Sequence, residues 1–137
     1  MKSSQQLIEG IKVTPDLEAV VAAVSRVRIT TLAKNENTIH AAIAAALTAA
    51  GIDFMHEVKL GLRRRVDFLT AGGTMIEVKH RRIDAKKLLA QLNRYVASLR
   101  IAAIVVVIDA FTSRLPSEIS GKPLRQVGLN ALHGVAI

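Results

Sequence analysis

Arg65-Val66-Asp67-Phe68-Leu69-Thr70-Ala71-Gly72-Gly73-Thr74-Met75-Ile76-Glu77-Val78-Lys79 holds two apolar runs separated by Ala-Gly-Gly. Val, Phe and Leu before the break and Met, Ile and Val after it favour strands, and the glycines supply the turn, so the stretch reads as a hairpin. Side chains alternate along a strand, which puts Glu77 and Lys79 on one side and sends Ile76 and Val78 to the other, toward a core. A turn at residues 71–73 sets Asp67 on the neighbouring strand near Glu77. Two acids and an ammonium converging on one sheet face suggest a divalent cation and a phosphate.

The rest of the chain supplies the frame. Thr14-Pro15 predicts a helix start, with Thr14 as N-cap and Pro15 at the first helical position, followed by a stripe of Leu17, Val20, Val21, Val24 and Val27. A second helix is predicted over residues 35–50, buried along Ile39, Ile43, Ala46, Leu47 and Ala50, and stopped by Gly51. Strands are expected over residues 54–60, 64–69 and 74–80. Asp84 then caps a third helix running to about Ser98, with Leu88, Leu89, Leu92, Val96 and Leu99 at helical spacing. Residues 101–109 form a continuous apolar run, the pattern of a strand buried on both faces, and residues 124–129 offer one further strand. This order predicts an α/β fold, helices covering a mixed sheet, with residues 1–34 as an arm and extra helix ahead of a core over residues 35–137.

A chain of 137 residues, half of them hydrophobic, is long enough for one domain with a substantial core. Cysteine is absent, which removes disulfides and thiolate chemistry, and His40, His56, His80 and His133 fall in no metal-ligand spacing. The polar start Met-Lys-Ser-Ser and the lack of any apolar run long enough to span a bilayer lead us to expect a soluble, cytoplasmic protein. Nineteen basic residues against eleven acidic ones leave +8. Nine of those cations (Lys59, Arg63, Arg64, Arg65, Lys79, Arg81, Arg82, Lys86 and Lys87) fall within 29 residues, around Asp67, Glu77 and Asp84. Cations gathered about acids attract a polyanion, nucleic acid first, although a basic surface also serves solubility alone.

Two carboxylates about 4 Å apart repel by roughly 4 kcal/mol at an effective dielectric near 20, so one must keep a proton or the pair must share a cation. All-oxygen ligation completed by phosphate suits Mg²⁺ or Mn²⁺. Lys79 is then available to the attacking water or the phosphate charge. Glu36 lies three residues before Ile39, on the stripe facing the sheet, within reach of a cation at the strand ends; a first-turn glutamate is equally explained by the helix dipole. Gln91 and Tyr95, four residues apart, share a helical face and either support the site or form a boundary pair with polar tips outward.

In this order the residues resemble the PD-(D/E)XK nuclease superfamily, which includes restriction enzymes, Holliday-junction resolvases and RecB-type exonucleases. The resemblance covers residues 35–109 and implies a restriction-endonuclease-like core, αβββαβ. Asp67 matches the first acid, Glu77 and Lys79 the D/E-x-K portion, Glu36 the acid on the preceding helix, and Gln91 and Tyr95 the Gln-x-x-x-Tyr element of RecB-type members. Val66 stands where the motif's name has proline. The implied function is a Mg²⁺- or Mn²⁺-dependent deoxyribonuclease, a hydrolase of recombination or repair, with Glu36, Asp67 and Glu77 on the metal and Lys79, Gln91 and Tyr95 completing the catalytic set. Arg63, Arg64, Arg65, His80, Arg81, Arg82, Lys86, Lys87 and Arg94 are the expected nucleic-acid contacts. Few aromatics are present for base stacking, which favours backbone and shape recognition of duplex or structured DNA. Symmetric cleavage implies a homodimer, for which the valine-rich first helix is the expected interface. The competing readings are a DNA-binding or assembly module without turnover, a RecB-type exonuclease and an RNA-directed nuclease.

Overall fold

β4 (Ala103–Ile108) lies at the centre of the molecule, and all six of its residues are buried. The computed structural model describes residues 14–29, 35–79, 84–108 and 115–129. Ala103, Val105 and Val107 face a core shared with α1 (Leu17–Ser25) and α2 (Glu36–Ala49). Ile104, Val106 and Ile108 face a second core shared with α3 (Ala85–Val96). Strand alternation thus feeds two apolar layers at once, so no polar residue appears in this strand. Burial of each such Val or Ile stabilises the fold by roughly 1.5–3 kcal/mol.

The sheet is mixed and six-stranded, completed by β1 (Phe54–Gly61), β2 (Arg64–Thr70), β3 (Thr74–Lys79), β5 (Glu118–Ile119) and β6 (Lys122–Gly128), in the order β1-β2-β3-β4-β6-β5. β1, β2 and β3 form an antiparallel meander, whereas β4 runs parallel to both β3 and β6. The parallel step from β3 to β4 is the one bridged by α3, as a crossover requires. The α/β sandwich expected from the sequence is therefore present, with α1 and α2 on one face and α3 on the other. Among the described residues no helix is long and apolar enough to cross a membrane.

Local signals explain most boundaries. Asn35 caps α2, its side chain accepting from the Thr38 N–H at 2.9 Å, and Gly51 (φ +74°) ends the helix where a left-handed residue is needed. Asp84 caps α3 by accepting from the Lys86 N–H. That helix stops at Val96, short of the expected end, and Leu99 lies beyond it, exposed rather than in the apolar stripe. Lys122 Nζ closes the helix end by donating to the Val96 and Ser98 carbonyls at 2.6 and 3.0 Å, and burial there lowers its pKa. Ala50 is exposed, so the buried stripe of α2 is shorter than predicted.

α1 departs from expectation at its start. Asp16, not Thr14, occupies the cap position, and its carboxylate makes no bond to the helix it precedes. It accepts instead from the hydroxyls of Thr70 at 2.8 Å and Thr74 at 2.6 Å, at the two ends of the β2–β3 turn. Thr70 Oγ1 in turn accepts from the Thr74 N–H. Gly72 lies so close that a Cβ there would stand 2.5 Å from Asp16 Cγ. This knot ties α1 to the hairpin that carries the acids. Leu17, Val20, Ala23 and Val24 are spent on the molecule's own core, so α1 does not present the apolar dimer face expected of it.

Candidate active site

The β2–β3 ladder contains only two register pairs, Phe68 with Ile76 and Leu69 with Met75. Beyond them the strands part. The Val78 N–H, which regular pairing would have satisfied, donates to Asp67 Oδ2 at 2.7 Å instead. One side chain thus replaces a ladder bond, and the gap opens a cleft of about 550 Å³. Its lining includes Glu36, Asp67, Glu77, Lys79, Gln91 and Tyr95, together with the cations Lys59, Arg63, Arg64 and Arg65.

Glu77 and Lys79 do emerge on one side of β3, opposite Ile76 and Val78. That side is not open to solvent: α3 covers it, and Glu77 is only 2 % exposed. A polar helix residue meets it there. Gln91 Nε2 donates to Glu77 Oε2 at 2.9 Å, while Gln91 Oε1 accepts from Lys79 Nζ at 3.1 Å. The same amide nitrogen lies 2.9 Å from the Tyr95 hydroxyl, one turn further along α3. Lys79 Nζ approaches Glu77 Oε2 at 3.5 Å. Gln91 therefore holds acid and amine at fixed separation, and Tyr95, buried in the α3 core, fixes Gln91. The pair is not a boundary pair with its tips outward.

Burial, reinforced by the negative charge of Asp67, pushes the Glu77 carboxyl up to about 8, against the pull of Lys79. Glu77 Oε1 is buried and has no hydrogen-bond partner. A carboxylate with one orphaned oxygen beside a second carboxylate is a costly arrangement for a fold to keep unless a proton or a cation relieves it.

Glu36 lines the cleft, but its side chain is largely exposed, and its Oε1 lies 3.9 Å from His40 Nε2. Among the described residues no group of three or more His, Cys, Asp and Glu is disposed to hold a metal ion. The three-carboxylate set expected from the sequence is thus not assembled; the structure brings together Asp67 and Glu77 and leaves Glu36 at the rim. Two hard carboxylates still fit Mg²⁺ or Mn²⁺, ions that keep several waters and take further oxygens from a phosphate. They do not fit a closed zinc site.

The basic residues divide. Arg63, Arg64 and Arg65 line the cleft as expected, and Lys59 joins them. Lys86, Lys87 and Arg94 are exposed on α3 and do not line it. His80, Arg81 and Arg82 lie outside the described residues.

One neighbour of the site was not legible as such. His40 is buried on α2, its Nδ1 is 2.8 Å from His56 Nε2, and its unpartnered Nε2 is 3.9 Å from both Glu36 Oε1 and Asp67 Oδ2. The His56 ring stacks on Phe68 at 4.5 Å. The four-residue spacing from Glu36 to His40 was the available sign, since it places both on one helix face. No family model matches the chain, and neither the curated proteins nor the solved structures compared with it include a significant match.

Proposed function

We propose that this protein is a divalent-metal-dependent phosphodiesterase that cuts DNA, and that its sheet and helices form a restriction-endonuclease-like core. The observation that carries this reading is Glu77: buried, with an orphaned oxygen, beside Asp67, and tied through Gln91 to Lys79 inside a cation-lined cleft. Each part has a use in phosphodiester hydrolysis. Asp67 and Glu77 would hold Mg²⁺ or Mn²⁺, which when bound supplies Lewis acidity and an acidified water.

Asp67 is kept in place by the Val78 N–H, which leaves its other oxygen uncommitted by that bond. Lys79, held by the Gln91 carbonyl oxygen, orients the attacking water or stabilises charge on the phosphate. The Gln91 amide bridges Glu77 and Lys79, whose own ion pair spans 3.5 Å, and so fixes both side chains in the cleft. Lys59, Arg63, Arg64 and Arg65 grip backbone phosphates along the same cleft, which favours affinity without sequence readout. If cleavage requires two sites, the dimer must form through a surface other than the apolar face of α1.

The test is a Mg²⁺ assay on supercoiled plasmid, linear duplex, flap, four-way junction and single-stranded DNA, with matching RNA. Cleavage lost in chelator and in Asp67→Ala and Lys79→Ala supports the enzyme. Salt-sensitive binding without cleavage on any substrate would assign the protein to the binding modules instead.

A further inference from the structure

The most exposed large apolar side chain among those described is Leu62, at 90 %. It stands at the tip of the β1–β2 hairpin, where Gly61 pairs with Arg64 and only Leu62 and Arg63 lie between. Two local distortions aim this tip. The register shifts between Lys59 and Gly61, a bulge that twists the ribbon. Arg63 adopts φ +60°, a left-handed conformation that disfavours every residue but glycine and, to a lesser degree, asparagine or aspartate. A glycine at that position would relieve the strain, yet the chain places a cation there and leaves a leucine protruding beside it.

Lys59, Arg63, Arg64 and Arg65 lie within three residues of Leu62 along the chain, and all are exposed. Of these only Arg65 makes an ion pair among the described residues, with Glu57 at 3.8 Å. All five side chains line the cleft that contains Asp67, Glu77 and Lys79. A protein-docking surface would offer a broad apolar patch; here the apolar element is a single exposed side chain sharing a cleft with four cations. That is the composition of a wedge: cations hold the phosphates on either side while an aliphatic group enters between two base pairs. The described aromatics cannot take this part, because Phe68 and Tyr95 are buried and Phe54 packs edge-on against Phe68.

We propose that Leu62 inserts into the base stack of duplex DNA next to the cleft, so that this site acts on DNA that is kinked or opened beside the cut. The inference rests on the nuclease reading above and names its substrate: paired DNA at a deformable or already interrupted step, as at junctions, mismatches and flexible pyrimidine–purine steps.

The experiment uses the full chain, in chelator, with duplexes carrying 2-aminopurine at successive positions across a mismatch or junction. The wild type is expected to raise the emission about threefold or more at one or two adjacent positions, as unstacking does. Leu62→Ala loses that rise and Leu62→Phe restores it, while the salt dependence of binding, carried by the cations, keeps its slope. In Mg²⁺, Leu62→Ala lowers the rate on intact duplex relative to the same duplex with a mismatch at the cut by about tenfold. An emission rise unchanged in Leu62→Ala, or no rise from a wild type that binds and cleaves, would overturn the wedge and leave the nuclease reading intact. Binding and unstacking without cleavage would overturn the nuclease reading and keep the wedge. Loss in Leu62→Ala of binding to anionic lipid vesicles, with DNA unstacking unaffected, would assign the hairpin to a membrane surface instead.

Discussion

Replacing Glu77 by glutamine should make the metal-free protein more stable, although it removes a residue at the heart of the site. In the folded chain burial and Asp67 hold the Glu77 carboxyl up to about 8, from an ordinary value of 4.5. Between those values the unfolded chain has released its proton while the folded chain retains it. The folded state therefore binds more protons, and its stability falls as pH rises through this window. At 1.36 kcal/mol per pH unit, the gap sets a ceiling of roughly 5 kcal/mol above about pH 8. Because water penetration and side-chain relaxation relieve part of that cost, about 2–3 kcal/mol is the expected yield.

Glutamine carries no charge and keeps an oxygen for Gln91, so the E77Q variant escapes this loss. For a chain of this length 2–3 kcal/mol corresponds to a rise of roughly 6–10 °C in Tm. Thermal unfolding in chelator, at pH values from about 5 to about 8, makes the measurement. The difference between E77Q and wild type should be small near the acid end and grow toward the alkaline end. Added Mg²⁺ should then raise the Tm of the wild type and leave E77Q unchanged. A difference that does not vary with pH, or an E77Q protein less stable than wild type at the alkaline end, would refute the reasoning.

Gln91→Ala removes the amide that bridges Glu77 and Lys79; kcat should fall about 10–100-fold with little change in DNA affinity, read in single-turnover cleavage. Asp16→Ala strips the Thr70 and Thr74 hydroxyls of their shared acceptor and should cost about 2–3 kcal/mol in chemical denaturation; Gly72→Ala, which forces a Cβ onto Asp16, should cost about 1–3 kcal/mol. Arg63→Ala and Arg64→Ala should each reduce the slope of log affinity against log salt by about 0.9, whereas Lys86→Ala and Lys87→Ala, away from the cleft, should leave it unchanged.

Periodicity carried most of the fold, because each element's burial pattern is written in its own residues. The all-apolar β4 had to be central, and the Gly51 and Asp84 signals fixed helix ends that depend on neighbouring residues alone. The pairing of Glu77 with Lys79 followed from alternation, and the approach of Asp67 from a short turn. What the sequence concealed depends on distant partners. Asp16 lies two residues past Thr14, the predicted cap, and two threonines more than fifty residues away take its carboxylate. His40 belongs beside Asp67 only because α2 packs on the sheet face where the His40 ring meets Phe68. The parting of β2 from β3, which makes the cleft, has no local signal beyond the acid itself. Lys86, Lys87 and Arg94 were drawn into the site by sequence proximity, but helical rotation directs them elsewhere. Glu36 stands on the correct helix face and still falls short of the two acids it was expected to join.

The central claim is that Asp67 and Glu77 share one divalent ion, and Mn²⁺ uptake measured by the loss of free-ion electron paramagnetic resonance tests it directly. The wild type near neutral pH should take up one ion per chain, and both Asp67→Ala and Glu77→Gln should abolish that uptake while remaining folded. A wild type that leaves Mn²⁺ free, or variants that bind it as the wild type does, would contradict the account.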